Sequence, residues 1–251
     1  DETGILYVAD KKAHCIHIYD SAGRYLGWLG AGNDDSFGFH SADDEVAHVS
    51  GSAPGAFLKP SAVAINTWDY ASKNTLPGGS SNRLWVADSG NNRLQAYDLG
   101  NLTQTPMVVT GESLGCNGYS FNQPGGLAIL ERTVYVADTG NHCILSIIDY
   151  PEGQPYLTGW YGSADGIVGG YHYGCPPAGG AIAGSKALQF NSPRLISACR
   201  NTGTYASQLA VADTGNSRVM LINESWQTMA GWYGGDTLGG SGWHTDGTPA
   251  P

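Results

Sequence analysis

Short stretches of alternating residues, each followed by turn-forming residues, recur along the chain. In residues 134–137 two valines alternate with tyrosine and alanine, which predicts a strand. The next residues, Asp138-Thr-Gly140-Asn, favour a turn, because Asp and Asn can bond the backbone locally and Gly140 can adopt a positive φ. A second apolar stretch follows at residues 142–149. The pattern therefore predicts a β-hairpin.

A similar hairpin sequence occurs four times in the chain, each time with Val-Ala-Asp at the end of a strand. The four aspartates are Asp10, Asp88, Asp138 and Asp213. Three of the copies are preceded by Phe-x-x-Pro and an apolar run, which is typical of an inner strand buried on both faces. These lead-in segments start at Phe57, Phe121 and Phe190. Repeated strand units of this kind predict an all-β fold, a β-propeller whose blades are four-stranded sheets.

The amino-acid sequence of the repeat resembles that of a known family. Val-Ala-Asp-Thr-Gly-Asn-His142 and Val-Ala-Asp-Ser-Gly-Asn-Asn-Arg93 are similar to NHL repeats, and the resemblance runs from about residue 5 to 234. It implies a propeller of NHL-type blades. Such propellers serve as binding platforms and scaffolds, and occasionally as enzymes.

The repeats divide the chain into four recognisable blades within a single domain, residues 1–251. The blades cover approximately residues 4–30, 57–110, 121–162 and 190–234, and long glycine-rich inter-blade loops are expected at 31–56, 163–189 and 235–251. In these loops Gly-aromatic-His recurs twelve residues after a tryptophan. The pairs are Trp28 with His40, Trp160 with His172 and Trp232 with His244.

The first blade lacks its inner strand, because no Phe-x-x-Pro precedes residue 4. Counting from the last histidine places the next such strand beyond residue 251. Two alternatives follow. Either the segment belongs to a larger propeller, or a neighbouring subunit or segment supplies the strand that completes the open blade. We expect the isolated segment to associate, swap strands or be marginally stable, since unpaired strand edges attract partners.

Composition narrows the classes of function. The formal net charge is −10, and only 14% of residues are charged. A surface that binds nucleic acid needs clustered Lys and Arg, so nucleic acid is not an expected partner. No apolar run approaches 18 residues, so no membrane span is expected.

Cysteines and glycosylation sequons favour an extracellular or cell-surface protein. We expect at least two disulfides among Cys15, Cys116, Cys143 and Cys175, which the repeat places near one face of the propeller. Sequons begin at Asn101 and Asn223. Both asparagines are predicted in exposed outer turns, where a glycan can be attached.

The four aspartates allow two interpretations. A ring of carboxylates could hold a calcium ion, but no EF-hand-like loop supports it. We expect instead that Asp10, Asp88, Asp138 and Asp213 each cap their own turn by accepting backbone N–H bonds.

The loop histidines His40, His172 and His244 also allow two interpretations. Three imidazoles could hold zinc with an open position, as in the NHL-like peptidylglycine amidating lyases. In that family, however, His-Ser follows Phe-x-x-Pro, and this chain has Ser61-Ala62, Gly125-Gly126 and Arg194-Leu195 there. We therefore expect each histidine to fix its loop to its own blade, and each tryptophan to pack between blades rather than stack on a sugar.

The sequence as a whole favours a non-catalytic extracellular NHL-type propeller, a glycosylated interaction or structural module of a larger assembly. The alternatives are a metal-dependent lyase of the amidating type and a glycan-binding propeller. No catalytic or cofactor-binding residue is assigned.

Overall fold

The computed structural model describes residues 4–66, 82–150, 153–200, 207–225, 227–235 and 241–245. Within these ranges the chain forms antiparallel strands in four sheets, with short 3-10 helices after Asp88, Asp138 and Asp213. The predicted all-β fold of propeller-type blades is confirmed. None of the described helices is long and apolar enough to cross a membrane.

The chain forms two compact units, which are described separately. They comprise residues 1–110 with 150–153, and residues 111–149 with 154–251. Each unit contains two of the four sheets, which we call blades 1 to 4 in chain order.

The first unit holds blades 1 and 2. Blade 1 consists of β1 (Leu6–Asp10), β2 (Cys15–Tyr19), β3 (Tyr25–Gly32) and β4 (Phe37–Ser41) in that order, and β5 (His48–Val49) pairs with β3. Blade 2 consists of β6 (Ala62–Asn66), β7 (Arg83–Asp88), β8 (Arg93–Asp98) and β9 (Met107–Val109).

The second unit holds blades 3 and 4, each with five strands in sequence order. Blade 3 consists of β10 (Pro124–Leu130), β11 (Thr133–Asp138), β12 (Cys143–Ile148), β13 (Tyr156–Ala164) and β14 (Ile167–Tyr173). Blade 4 consists of β15 (Pro193–Cys199), β16 (Gln208–Asp213), β17 (Arg218–Asn223), β18 (Thr228–Gly235) and β19 (Ser241–His244).

Blade 1 lacks an inner strand among the described residues, as predicted. Its Val8-Ala-Asp10 sequence lies on β1, whereas the same sequence lies on the second strand of the other blades. Strands β6, β10 and β15 therefore have no counterpart in blade 1.

The segments predicted as inter-blade loops contain strands, which corrects that prediction. β4, β14 and β19 lie in them and pair with the tryptophan strand of their own blade. The recurrence of Trp and His twelve residues apart has a simple cause, because the two residues are direct cross-strand partners in all three blades. Gly27, just before Trp28, lies so close to the facing strand that a Cβ there would collide with the His40 carbonyl oxygen.

Each unit has a hydrophobic core where its two blades pack together. Phe57 in the first unit and Phe190 in the second are fully buried within these cores. Burying one such side chain stabilises the fold by about 1.5–3 kcal/mol. Phe57 and Phe190 thus each anchor a blade to the preceding blade of the same unit.

Candidate functional site

The aspartates of blades 2, 3 and 4 join the turn of the repeat to the segment that leads into the same blade. Asp88 is fully buried, and its Oδ1 accepts a hydrogen bond of 2.8 Å from the backbone N–H of Leu58. Its Oδ2 accepts bonds of 2.8 Å from Asn91 Nδ2 and from Arg93 Nε. Asp213 repeats this arrangement with Asn191 and Arg218.

The predicted capping role is therefore wrong for Asp88, Asp138 and Asp213. The turns that follow them have no side-chain cap. Only Asp10 caps its own turn, accepting bonds of 2.8 and 2.9 Å from the backbone N–H groups of Lys12 and Ala13. The difference has a physical cause, because blade 1 has no lead-in segment among the described residues to offer a donor.

The glycine of the repeat is required by close approach rather than by a positive φ, which corrects the interpretation of Gly140. The left-handed residue of this turn is His142, with a φ of 53°. Gly140 donates a backbone bond of 2.8 Å to the carbonyl oxygen of Asn122, and a Cβ there would collide with the Asn122 side chain.

The arginine that ends two of the repeats fixes the loop before its blade. Arg93 donates bonds of 2.7–2.9 Å to the carbonyl oxygens of Ser52, Ala53 and Ala56. Arg218 makes the corresponding set with Ser185, Lys186 and Gln189. Both guanidinium groups are thus fully engaged within the fold.

Cysteine replaces this arginine in blades 1 and 3. In blade 3 the Tyr119 hydroxyl donates to Asp138 and lies 3.8 Å from Cys143 Sγ. Without a cation beside it, burial raises the pKa of Asp138 to about 6, although its hydrogen bonds lower it. The sequence did not reveal the role of Tyr119, because it lies in the loop before the blade.

In blade 1 the Cys15 thiol lies 3.6 Å from His17 Nε2, which is also 3.6 Å from Asp10 Oδ2. Burial, with a smaller contribution from Asp10, raises the pKa of Cys15 to about 12. The cysteine is therefore a neutral thiol at physiological pH rather than an activated nucleophile.

One disulfide is present where at least two were expected. Cys116 and Cys175 are bonded, with a Cα–Cα distance of 5.5 Å. Cys15 and Cys143 are free and buried, because each occupies the arginine position beside the aspartate of its own blade.

The three candidate zinc histidines each pack on the tryptophan of their own blade. His40 and His244 stack on Trp28 and Trp232 with ring centroids 3.9 and 4.0 Å apart. His172 packs on its tryptophan at 4.6 Å, and its Nε2 lies 3.1 Å from the Gly162 carbonyl oxygen. Each histidine thus packs on its own blade, as predicted. The expected bond from the ring to a carbonyl is present only for His172, since the Nε2 atoms of His40 and His244 are buried without a hydrogen-bond partner in the described part of the chain. Among the described residues no group of three or more His, Cys, Asp or Glu side chains is placed to hold a metal ion.

The tryptophan side chains are too buried to bind a sugar, and the asparagine of one sequon is too buried to carry a glycan. Trp28, Trp160 and Trp232 are at most 4% exposed, so they are too buried to stack on a sugar. Each packs on the histidine of its own blade, and packing between blades stays a prediction. Asn101 is exposed beyond the end of β8, as predicted. Asn223 is 7% exposed and lies in β17, so the prediction of an exposed turn is wrong there.

A row of apolar side chains crosses one face of blade 4. Cross-strand pairing aligns Leu195, Ala212, Val219, Tyr233 and Trp243. Leu195, Tyr233 and Trp243 are 63%, 60% and 49% exposed. We call this row the Ala face of blade 4, after the alanine of Val-Ala-Asp.

The corresponding Ala face of blade 3 is covered. Its aligned residues Ala137, Ile144 and Tyr161 are at most 1% exposed and pack in the core against blade 4. The local sequence could not distinguish the exposed face from the covered one, because Tyr161 and Tyr233 both lie in the sequence Gly-Trp-Tyr-Gly.

Comparison with known proteins identifies the repeat. A family model described as the NHL repeat matches residues 121–145. The chain carries an NHL repeat. This segment spans the lead-in loop, β10, β11 and the start of β12, and so includes Asp138 and its partners.

Relatives of known sequence agree with this assignment. NHL repeat-containing protein 2 of Gallus gallus is 32% identical over 147 residues, which is 55% of this chain and 18% of that protein. The Homo sapiens protein of the same name is 30% identical over 152 residues, 57% of this chain and 19% of that protein. The matched part of this chain thus spans about a fifth of the length of these relatives.

The solved structures that match this chain have low sequence identity to it. A nidogen–laminin complex matches with a TM-score of 0.46 and 10% identity, covering 91% of this chain and 59% of that one. An auxiliary nutrient binding protein from Bacteroides thetaiotaomicron matches with a TM-score of 0.48 and 12% identity, covering 98% and 59%.

Proposed function

We propose that this NHL-repeat chain is a protein-interaction module that binds another polypeptide through the Ala face of blade 4. The observation that carries the proposal is the exposure of Leu195, Tyr233 and Trp243 in one aligned row. Contiguous exposed apolar surface on a folded protein is typical of an interaction site. Tyrosine and tryptophan are also enriched at the centres of protein interfaces.

The polar residues of the repeat support a scaffold rather than an enzyme. Asp88, Asp213, Arg93 and Arg218 satisfy one another and the backbone of the lead-in loops. Their bonding groups are occupied by the fold, so these residues serve to hold the blades in place. A rigid blade of this kind presents a surface with little loss of conformational entropy on binding.

The module works outside the cell in this proposal. The Cys116–Cys175 disulfide supports an oxidising compartment, and the exposed Asn101 offers a site for a glycan. The proposal expects a glycan on Asn101 and none on the buried Asn223 of the secreted protein. Peptide mapping of that protein before and after glycosidase treatment checks both positions.

Photo-crosslinking tests the interaction itself. The photoreactive residue p-benzoylphenylalanine replaces Tyr233 in one variant and Val168 in a control. Val168 is 81% exposed but lies in β14 of blade 3, outside the Ala face of blade 4.

We expect position 233 to become attached to a polypeptide that mass spectrometry identifies, with much lower yield from position 168. Equal yields from both positions, or no protein adduct at position 233, would contradict the proposed function.

A further inference from the structure

The loop before blade 3 is fixed differently from the loops before blades 2 and 4. In those blades Arg93 and Arg218 each donate hydrogen bonds to three loop carbonyl oxygens. Blade 3 has Cys143 in that position, and a thiol offers only one weak donor. The loop before blade 3, residues 111–120, must therefore be held by other groups. We call it the Tyr119 loop.

Tyr119 attaches this loop to blade 3. Its hydroxyl donates a hydrogen bond to Asp138 and lies 3.8 Å from Cys143 Sγ. Its backbone N–H donates a bond of 3.1 Å to the carbonyl oxygen of Cys116, so the position of the aromatic ring depends on where Cys116 is held. Tyr119 is 3% exposed and Cys143 has no exposed surface. The tyrosine is thus part of the cover over the thiol.

The disulfide joins the Tyr119 loop to a second loop, residues 174–182, which we call the Cys175 loop. Cys116 and Cys175 are 59 residues apart in sequence. Both loops are also bonded to Asn141 in the turn of blade 3. Its Nδ2 donates a bond of 2.8 Å to the carbonyl oxygen of Ser120, and its own carbonyl oxygen accepts one of 2.9 Å from the backbone N–H of Ala181. The two loops therefore close over the same turn, and the disulfide links them covalently.

We propose that the Cys116–Cys175 disulfide is a redox-sensitive switch, whose reduction releases the Tyr119 loop and opens the buried Cys143 thiol to modification. The inference goes beyond the proposed function, because it concerns blade 3 and not the binding face of blade 4. The disulfide holds the loop that an arginine holds in blades 2 and 4. Unlike a guanidinium group, it can be broken and re-formed by thiol chemistry.

The reductant in this step is a dithiol. Cys175 is exposed whereas Cys116 is 1% exposed, so a thiolate of the reductant attacks the Cys175 sulfur. The S–S bond breaks, a mixed disulfide forms, and Cys116 leaves with the electron pair and takes a proton. The second thiol of the reductant then displaces Cys175, which is protonated in turn. The protein gains two thiols, and the dithiol becomes a disulfide.

The rest of blade 3 should keep its attachments after reduction. Asp138 still accepts a bond of 2.8 Å from the backbone N–H of Asn122 and another from Asn141 Nδ2. Gly140 still donates to the carbonyl oxygen of Asn122. None of these bonds involves the Tyr119 loop, so we expect local opening rather than unfolding of the blade.

Alkylation of the cysteines in the full chain tests the switch. One sample is kept oxidised, and the other is reduced with dithiothreitol, which gel filtration then removes. N-ethylmaleimide is added to both, and peptide mass spectrometry follows each cysteine with time. Cys15 is the matched control, since it is equally buried at the same place in the repeat but belongs to the first unit. Hydrogen–deuterium exchange of the two samples reports which segments open.

We expect Cys143 to be alkylated at least about tenfold faster after reduction, because the loop closure that restrains its cover is lost. Cys15 should react at the same rate in both samples. Residues 111–120 should exchange faster in the reduced chain, while strand β11 remains protected. Cys175→Ser should reproduce these results without any reductant, and circular dichroism verifies that this variant is folded.

Three results would overturn the switch. The first is a Cys143 thiol that stays equally protected in the oxidised and reduced chains. The second is an equal acceleration at Cys15, which would show a general loosening of the protein. The third is a loss of protection throughout β11, or unfolding of both the reduced chain and Cys175→Ser, because the disulfide would then support the whole unit rather than one loop.

Discussion

Replacing Arg218 with methionine should destabilise the second unit strongly. The Arg218 and Asp213 side chains are 1% and 0% exposed, and the Nε–Oδ2 distance is 2.8 Å. Methionine keeps much of the aliphatic stem but leaves the Asp213 carboxylate buried without its cation. Removing one partner of a buried ion pair costs about 3–5 kcal/mol. The carbonyl oxygens of Lys186 and Gln189 also lose their donor, although these effects are coupled and do not simply add.

Arg24→Met is the matched control. Arg24 Nε lies 2.6 Å from Asp20 Oδ2, but its side chain is 81% exposed. Exposed ion pairs contribute about 0–1 kcal/mol, so this variant should unfold almost as the unaltered chain does. Urea unfolding followed by circular dichroism gives the free energy of each. An Arg218→Met variant that loses no more stability than Arg24→Met would refute the claim that the buried aspartate–arginine pair holds the blade.

Three further outcomes are expected. Burial raises the pKa of Asp138 to about 6, so the contribution of the protonated Asp138 to stability is full below about pH 4 and is lost as the pH rises through about 6. Asp138→Asn should remove this pH dependence from the free energy of unfolding measured in urea at pH 4–7. An unchanged pH profile in the variant would contradict the assignment to Asp138. Gly90→Ala should destabilise by about 1–3 kcal/mol, since its Cβ would collide with a backbone carbonyl oxygen. Gly179→Ala, whose Cβ has open space, should melt at an unchanged temperature, so equal losses in the two variants would refute the explanation. Non-reducing peptide mapping should find Cys116 bonded to Cys175 and no other pair, and a bonded Cys15 would contradict the structure.

The sequence predicted the strands and the repeat well because both are local signals. The Val-Ala-Asp hairpin is a pattern of neighbouring residues, and the buried Phe57 and Phe190 were visible as repeated lead-in residues. The role of the aspartates was not local. Asp88 accepts a hydrogen bond from Leu58, thirty residues earlier in the chain. The sequence around an aspartate is the same whether its carboxylate accepts a bond from its own turn or from a distant segment.

The candidate interaction surface was hidden from the sequence for a related reason. Tyr161 and Tyr233 occupy the same place in the same short sequence, yet one is 1% and the other 60% exposed. Exposure here depends on whether another blade covers the sheet, which no residue near the tyrosine encodes. The cysteines illustrate the same limit, since Cys15 and Cys143 fill an arginine position instead of forming the expected disulfides.

The measurement that tests the central claim most directly is hydroxyl-radical labelling of Tyr233 in the protein isolated from its natural source. Tyr173, which is 80% exposed in blade 3, serves as the internal reference. If the Ala face of blade 4 binds a polypeptide, Tyr233 should be labelled several times more slowly than Tyr173 in the native assembly and at a similar rate in the isolated chain at low concentration. Rapid labelling of Tyr233 in both samples would show that nothing covers this face and would contradict its role as the binding surface.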